Sequence, residues 1–285
     1  MQEVVIVTDS ISCLTRELVE QYRITVVPVR LLFQGEVYRD SVDITASQAY
    51  EMFLQDPESF TTSPASPGHF LEAYHEASKR GKYILCITLS SKLSTGYDMA
   101  RVAREQAKDE LPETSIEVID SQNVTAAEGF IALEAARAAA EGKNLIEATR
   151  VAEKIRDKVS FLAVLDTIRY VYRTGRIPKI AAQAASLLNI RPILTSSSGL
   201  IRFVGAVRNK EQGINRIIQL MEEKVGQAPV HIAVMHAYAP DEAEKLKGQL
   251  LSKFNCAELW VTEFSPVMGY ACGTGAVGFA FFPES

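Results

Sequence analysis

The sequence predicts an α/β protein of two domains: an N-terminal three-layer α/β/α domain with a mainly parallel sheet, and a C-terminal α+β domain with a mixed sheet. In the first half of the 285 residues, apolar strands rich in β-branched residues alternate with helical patterns. This alternation is typical of a parallel sheet that is covered on both faces. In the second half, two strand patterns are separated only by a turn, which indicates antiparallel pairing.

The first half contains three strand–helix units followed by one more helix. The units are VVIVTDS (4–10) with a helix over 14–22, YILCITLSS (83–91) with a helix over 96–111, and IEVIDSQ (116–122) with an alanine-rich helix over 126–141. The next helical pattern, at 144–159, is followed by a change to antiparallel signals. We therefore expect domains at 1–158 and 159–285, joined without a long linker, with a ligand cleft between them.

The second half begins with two strands that flank the turn SSSG. Its predicted elements are strands IRPILT (190–195) and LIRFVGAV (200–207), a helix over 210–225, strand VHIAVMH (230–236), a helix from Pro240, and strands ELWVTEF (258–264) and AVGFAFF (276–282). Proline at a first helical position, followed here by Asp241 and Glu242, is a typical helix start.

Composition excludes several classes of protein. The net charge is −5 and both signs are interleaved, so no basic stripe is available for nucleic acid. The N-terminus lacks a signal-peptide pattern and no run of about 18 apolar residues occurs, so we expect a cytoplasmic chain without stable membrane insertion. The four cysteines have no metal-ligand spacing, which predicts reduced thiols and no structural metal.

Three glycines near the C-terminal end, Gly273, Gly275 and Gly278, have the spacing G-x-G-x-x-G. A dinucleotide site needs a helix after these glycines and an acidic residue about 20 positions later. The segment that follows, FAFFPES, has the pattern of a strand instead. We therefore expect no dinucleotide and no other cofactor. The glycines form a turn or let the backbone pass close to a ligand.

Two hydroxyl-rich segments each precede a predicted helix, where backbone N–H groups and side-chain donors face an anion. The side chains are Ser91, Ser94 and Thr95 in LSSKLSTGY, and Thr61, Thr62, Ser63 and Ser66 in FTTSPASP. Taken singly, each is more simply explained as a helix N-cap. Two such clusters nevertheless favour a shared anion site. Neither contains the Gly-Lys-Ser/Thr of a phosphate-binding loop.

Other polar residues at strand ends have less specific meanings. Asp9 and Asp120 could act as metal ligands or as a base, but loop-bracing hydrogen bonds are the commoner role. His236 also ends a strand. No G-x-S-x-G motif accompanies it, so a serine hydrolase lacks support and a structural histidine is favoured.

Seven segments together resemble the DegV family of bacterial fatty-acid-binding proteins. They are VTDSISCL, TTSPASPGHF, ITLSSKLSTGYDMA, IDSQNVTAAEGF, LDTIRYVYRTGRI, SLLNIRPIL with GAVR, and SPVMGYACGTGAVGFAF. The resemblance implies an acyl chain in an apolar tunnel of the second domain and a carboxylate held by hydroxyls between the domains. It also implies that the bound long-chain fatty acid is presented to a separate fatty acid kinase, which forms the acyl phosphate, so that this chain is not itself an enzyme.

The resemblance assigns roles to individual residues. Thr62 and Ser94 match the family's carboxylate-binding threonine and serine, and Ser63, Ser91 and Thr95 are supporting candidates. AAQAASLL, PIL and FVGAV are candidate tunnel walls, although core packing explains them equally well. The family's terminal loop commonly reads G-T-H-x-G-P-G, and here Ala271 takes the place of its histidine. Either Tyr270, Thr274 or backbone N–H groups replace that donor, or the ligand's head group differs.

Two further readings stay open. Cys272 is read as a small buried thiol, but an acyl- or phosphoryl-transfer enzyme using Ser94 or Cys272 is an alternative, as is a lipid-responsive sensor. The stretch IRYVYRTGRIPK carries Arg169, Arg173, Arg176 and Lys179. Arg169 and Arg173 share a helical face. This face is either a solvated basic surface or a docking site for the kinase.

Overall fold

The structure, a computed structural model, describes residues 3–176 and 190–284. Its strands are β1 (Val4–Asp9), β2 (Thr25–Val27), β3 (Arg30–Phe33), β4 (Glu36–Arg39), β5 (Phe60–Ser63), β6 (Tyr83–Thr88), β7 (Ser115–Asp120), β8 (Ser160–Val164), β9 (Arg191–Ser197), β10 (Leu200–Val207), β11 (Val230–His236), β12 (Cys256–Glu263) and β13 (Val277–Pro283). Its helices are α1 (Arg16–Tyr22), α2 (Ala46–Gln55), α3 (Pro67–Ser78), α4 (Gly96–Glu110), α5 (Ala126–Ala140), α6 (Leu145–Lys158), α7 (Arg169–Arg173), α8 (Lys210–Val225), α9 (Pro240–Lys253) and α10 (Pro266–Cys272).

The first sheet is parallel and has the strand order β2-β1-β6-β7. Its strands β1 and β6 are buried along almost their whole length, as a sheet covered on both faces requires. Helices α3 and α4 pack on one face and α5 packs on the other. The predicted three-layer α/β arrangement is confirmed.

The second sheet is mixed, with the order β10-β9-β8-β13-β11-β12. Only β11 and β12 are parallel, and every other neighbouring pair is antiparallel. Helices α8 and α9 cover one face. Strand β8 was not predicted, because its five residues follow α6 almost directly with no turn signal. Helix α6 ends at Lys158 and β8 begins at Ser160, while the domain limits 1–158 and 159–285 remain a prediction.

Helix α5 lies between the two large sheets. Twelve of its 15 residues are buried, and one hydrophobic cluster joins it to strands of both sheets. A helix that is apolar all round is buried on all sides, and alanine lets each sheet approach its backbone closely. This alanine-rich helix therefore forms the shared core of the two halves.

A third, antiparallel sheet has the order β4-β3-β5 and was not predicted. Its hairpin turns at Gln34 and Gly35, both with positive φ, a two-residue turn that matches strand twist. Together with α2, this sheet has a small core of its own, against which Tyr170 of α7 and Tyr270 of α10 pack. The sheet therefore sits beside the C-terminal helix α10.

An ion-pair cluster ties α5 to the second sheet. Arg137 donates to Glu258 at 2.5 Å and to Glu134 at 2.6 Å, and His231 contacts Glu258 at 3.0 Å. The ligand atoms of Glu134, His231 and Glu258 lie within 4.8 Å of one another. Arg137 already supplies the positive charge that a bound metal ion would provide. We therefore interpret Glu134, His231 and Glu258 as part of a structural ion-pair network. Within the described residues, no helix has the length and apolar character needed to cross a membrane.

Candidate functional site

A largely apolar cavity opens between the first and second sheets. It has about 970 Å³ of space not occupied by protein atoms, including open solvent at its mouth. Its described apolar walls are Ile11, Val29, Pro64, Leu89, Leu93, Val124, Phe161, Ala163, Leu165, Val171, Leu194, Ile201, Phe264, Val267, Met268, Ala271 and Cys272. Its polar positions are Thr62, Ser63, Ser94, Thr174, Arg176 and Tyr270.

Strand β8 and Leu165, the residue directly after it, supply one long wall of the cavity. Phe161, Ala163 and Leu165 lie two residues apart, so their side chains share a face of the sheet. Leu162 and Val164 point to the other face, into the core with α8 and α9. The three lining positions span about 13 Å at roughly 3.3 Å per residue, which gives the cavity an elongated wall.

The two predicted head-group residues, Thr62 and Ser94, line this same cavity. Thr62 is carried by β5, where it pairs with Leu31 of β3. Its hydroxyl has no hydrogen bond among the described residues. Ser94 lies in the loop after β6, and its Oγ accepts from the backbone N–H of Gly96 at 3.3 Å. That bond uses only a lone pair of the Ser94 oxygen, so the hydroxyl O–H of Ser94 can still donate a hydrogen bond to a ligand.

Positive charge lies at the polar end of the cavity, and part of it was not predicted from the sequence. Arg176 lines the cavity and donates from Nε to the carbonyl of Leu93 at 2.7 Å. Arg30 of β3 donates to Ser63 Oγ at 3.3 Å. No aspartate or glutamate occurs among the described residues that line the cavity. The electrostatics therefore favour an anionic head group over a cationic one.

Helix α10 places the C-terminal candidates. It begins at Pro266, the first helical position, where proline is favoured, and it stands in place of the terminal loop that the resemblance implied. Tyr270, Ala271 and Cys272 all line the cavity from its last turn. The Tyr270 ring stacks on Phe60 with centroids 6.2 Å apart. Ala271 contributes only a methyl group to this wall.

Cys272 is a buried wall residue. It is 7 % exposed, and burial raises the pKa of its thiol to about 12. A thiol is nucleophilic only as the thiolate, so Cys272 is unreactive near neutral pH. This argues against a transfer enzyme that uses it.

Several predicted residues lie outside the cavity wall. Ser91 donates its hydroxyl to Asp120 at 2.5 Å. Thr95 is exposed, and Thr274 lies in the turn before β13. Of the candidate tunnel segments, PIL supplies Leu194, FVGAV supplies no wall residue, and AAQAASLL lies outside the described residues.

The two strand-end acids brace loops. Asp120 accepts from the backbone N–H of Ser91 at 3.2 Å and of Gln122 at 2.8 Å. Asp9 likewise accepts two backbone N–H bonds, one from each of two loops. Neither acid lines the cavity.

The three spaced glycines serve close packing. An added Cβ would lie 2.5 Å from the Tyr170 ring at Gly273, and 2.1 Å from the Asp166 carboxylate at Gly275. Both residues also have positive φ. At Gly278, inside β13, the Cβ would lie 2.3 Å from the backbone oxygen of Leu162. No helix follows Gly278 within the described residues.

Arg169 and Arg173 of the basic stretch differ in their exposure and in their contacts. Arg169 is exposed and pairs with the exposed Glu58 at 3.1 Å. Arg173 is half-buried, with its guanidinium 4.8 Å from the Tyr270 ring centre and 5.5 Å from that of Tyr170. Arg173 therefore holds aromatic rings together as well as carrying charge. Lys179 lies outside the described residues.

Comparisons with known proteins match the chain to one family over almost its whole length. The family model of DegV matches residues 3–284. A DegV domain-containing protein of Streptomyces coelicolor is 33% identical over 279 residues, covering 97% of each chain. A solved DegV family structure from Thermus thermophilus, described by its fatty acid binding, is 25% identical, with a TM-score of 0.90 and coverage of 99% and 100%.

The solved structure of the fatty acid binding protein DegV of Bacillus subtilis is 28% identical, with a TM-score of 0.88 and 99% coverage of both chains. The family match and these relatives extend over essentially all of the sequence. The chain belongs to the DegV family.

Proposed function

We propose that this protein binds one long-chain fatty acid, with the acyl chain in the cavity between the sheets and the carboxylate beside Thr62 and Ser94. The observation that carries the proposal is an elongated apolar cavity whose polar end has two available hydroxyls, a nearby arginine and no acid. The relatives described as fatty acid binding proteins support it.

The apolar wall supplies most of the expected affinity. At about 0.8 kcal/mol for each buried methylene, a chain with ~14 methylenes gains on the order of 11 kcal/mol before the costs of binding. Because the acyl chain supplies most of the affinity, the site has to orient the carboxylate rather than bind it tightly. Neutral hydroxyl donors orient a carboxylate and leave it accessible.

Ala271 shifts the head-group contacts toward other donors. A methyl group donates no hydrogen bond, so the carboxylate depends on Thr62 and Ser94, with Tyr270 and Arg176 also on the wall. Arginine keeps its charge throughout the physiological pH range, whereas histidine does not. We therefore expect head-group binding to be independent of histidine titration.

The two hydroxyls can be tested one at a time. Thr62→Val and Ser94→Ala should each weaken fatty-acid binding by about tenfold, because each removes a hydrogen bond to a charged group worth roughly 1.5 kcal/mol. The measurement is a calorimetric titration of delipidated protein with a long-chain fatty acid. The matched controls are Thr61→Val, on the exposed side of β5, and Thr95→Ala. Equal losses in a variant and its control, or equal losses with the methyl ester, would contradict this role.

We further propose that the bound fatty acid is presented to a separate fatty acid kinase. Support comes from α7, whose C-terminal end reaches the cavity through Val171 and Thr174 while Arg169 faces outward. A partner that reaches the carboxylate would pass this helix. An acidic kinase surface would then meet Arg169.

Arg169→Glu is expected to weaken kinase binding by about tenfold, because reversing a charge at an interface rim slows association. Arg169 is the cleaner target, since it packs on one tyrosine ring, that of Tyr170, whereas Arg173 packs on two. The readouts are the Kd for the kinase subunit and the rate of acyl phosphate formation. The control, Arg216→Glu, lies on α8 against the far face of the second sheet. Equal affinity for the two variants would rule out this docking site.

A further inference from the structure

A pair of buried acids lies beside the cavity but outside its wall. Asp9 ends β1 and Glu128 lies in the first turn of α5, with 3 % and 0 % of their surfaces exposed. Asp9 accepts from the backbone N–H of Ile11 and of Leu89, both at 3.0 Å. Ile11 and Leu89 line the cavity. Asp9 therefore joins two wall-forming loops, and the second of them continues to Ser94.

Glu128 lies next to the residue that joins these two loops. Its Oε1 accepts from the hydroxyl of Thr8 at 3.3 Å, and its carboxyl group lies close to that of Asp9. Its Oε2 is buried and meets no donor among the described residues. Two carboxylates cannot hydrogen-bond to each other, because both are acceptors. A proton on Glu128 turns this contact into a hydrogen bond and supplies the missing partner.

The surroundings favour that proton. Burial and the negative charge of Asp9 both raise the pKa of Glu128. Burial also raises the pKa of Asp9, but its two backbone bonds stabilise the anion and limit the rise to about 6. Among the described residues, the other titratable groups that act on the pair are Asp40, Asp120 and the thiols of Cys13 and Cys86, none of which is a cation. A second negative charge would be uncompensated.

We propose that Glu128 is a positioning residue, held as a neutral carboxylic acid whose O–H donates a hydrogen bond to ionised Asp9 and so fixes the two loops that shape the cavity. Loss of this proton at alkaline pH places two like charges in a dry interior and loosens the loops. The effect on the fold is independent of any ligand. The effect on fatty-acid binding rests on the function proposed above.

Glu128→Gln tests the first part in ligand-free protein. Glutamine donates to Asp9 and cannot ionise. Wild-type folded protein keeps a proton that the unfolded chain has lost, so this contribution is present at low pH and is lost as pH rises toward the folded-state pKa. Above the unfolded-state pKa of 4.5 and below the raised pKa of folded Glu128, the folding constant of wild type divided by that of Glu128→Gln should fall by up to tenfold per pH unit.

The control Glu141→Gln, at the exposed C-terminal end of the same helix, should leave the pH slope of wild type unchanged. Equal slopes in wild type and Glu128→Gln would overturn the proposal. If Glu128→Gln does not fold, infrared spectra of wild type labelled with 13C-glutamate decide the matter. A protonated carboxyl band in the buried, slowly exchanging fraction at neutral pH supports the proposal, and its absence refutes it.

The second part uses hexadecanoate as the probe. Its affinity for wild type should fall at least tenfold from neutral to alkaline pH, as Glu128 loses its proton, and should stay constant for Glu128→Gln. Parallel pH profiles would overturn the link to the cavity. If neither protein binds hexadecanoate, the proposed function fails, while the folding slopes still test the acid pair.

Discussion

Ala163→Phe is expected to lower fatty-acid affinity by more than about 100-fold, a loss of roughly 2.7 kcal/mol or more, while the chain stays folded. Ala163 is 1 % exposed and lies in the middle of the β8 wall, paired with Leu194. A phenyl ring at this position enters the space assigned to the acyl chain. Because the tail supplies most of the expected affinity, blocking it should outweigh the loss of either hydroxyl.

The matched control for this variant is Leu162→Phe, the neighbouring residue of the same strand. Its side chain points to the opposite face, into the core with α8 and α9. It should lower stability by overpacking, typically by about 1–3 kcal/mol, but retain fatty-acid binding. Calorimetric titration and thermal unfolding of both variants separate the two effects. Tight binding by Ala163→Phe would show that the acyl chain lies elsewhere.

Gly278→Ala is expected to destabilise the fold by about 3 kcal/mol. The added methyl group would lie 2.3 Å from the carbonyl oxygen of Leu162 and 2.7 Å from Cα of Ala163, both of them backbone atoms of the adjacent strand. Neither atom can move without separating β13 from β8. The conflict is therefore with the sheet itself, whether or not a ligand is bound.

Gly248→Ala is the matched control for that substitution. Gly248 lies in α9, and an added Cβ meets nothing within 4 Å. Alanine at an exposed helical position should stabilise the protein by about 0.5–1 kcal/mol. Denaturant unfolding of the two variants measures the difference. If Gly278→Ala were as stable as Gly248→Ala, the close strand approach at Gly278 would be wrong.

Elements with a strong local pattern were predictable from the sequence. Strand β1 and the buried helix α5 have apolar runs that favour one secondary structure, and the turn before Leu200 indicates a hairpin. Strand β8 was missed because a five-residue apolar run directly after a helix is locally ambiguous. The sheet of β3, β4 and β5 was missed although Gln34 and Gly35 provide a turn signal.

Candidate site residues were predictable where a polar side chain lies at a recognisable position in the local sequence. Thr62 and Ser94 are hydroxyls next to helix starts, and the family resemblance separated them from Ser91 and Thr95. Arg30 was missed because its contact with Ser63 depends on strand pairing between residues 33 positions apart. The role of Glu128 depends on the packing of α5 against β1. Local sequence contains no signal for either contact.

Organic extraction of natively purified protein, followed by mass spectrometry and back-titration, tests the central claim most directly. We expect long-chain fatty acid to be recovered at close to one molecule per chain, or to be taken up to that ratio by delipidated protein. Ala163→Phe, purified in parallel, should yield little or none. Wild-type protein that contains no fatty acid and takes up none would contradict the claim.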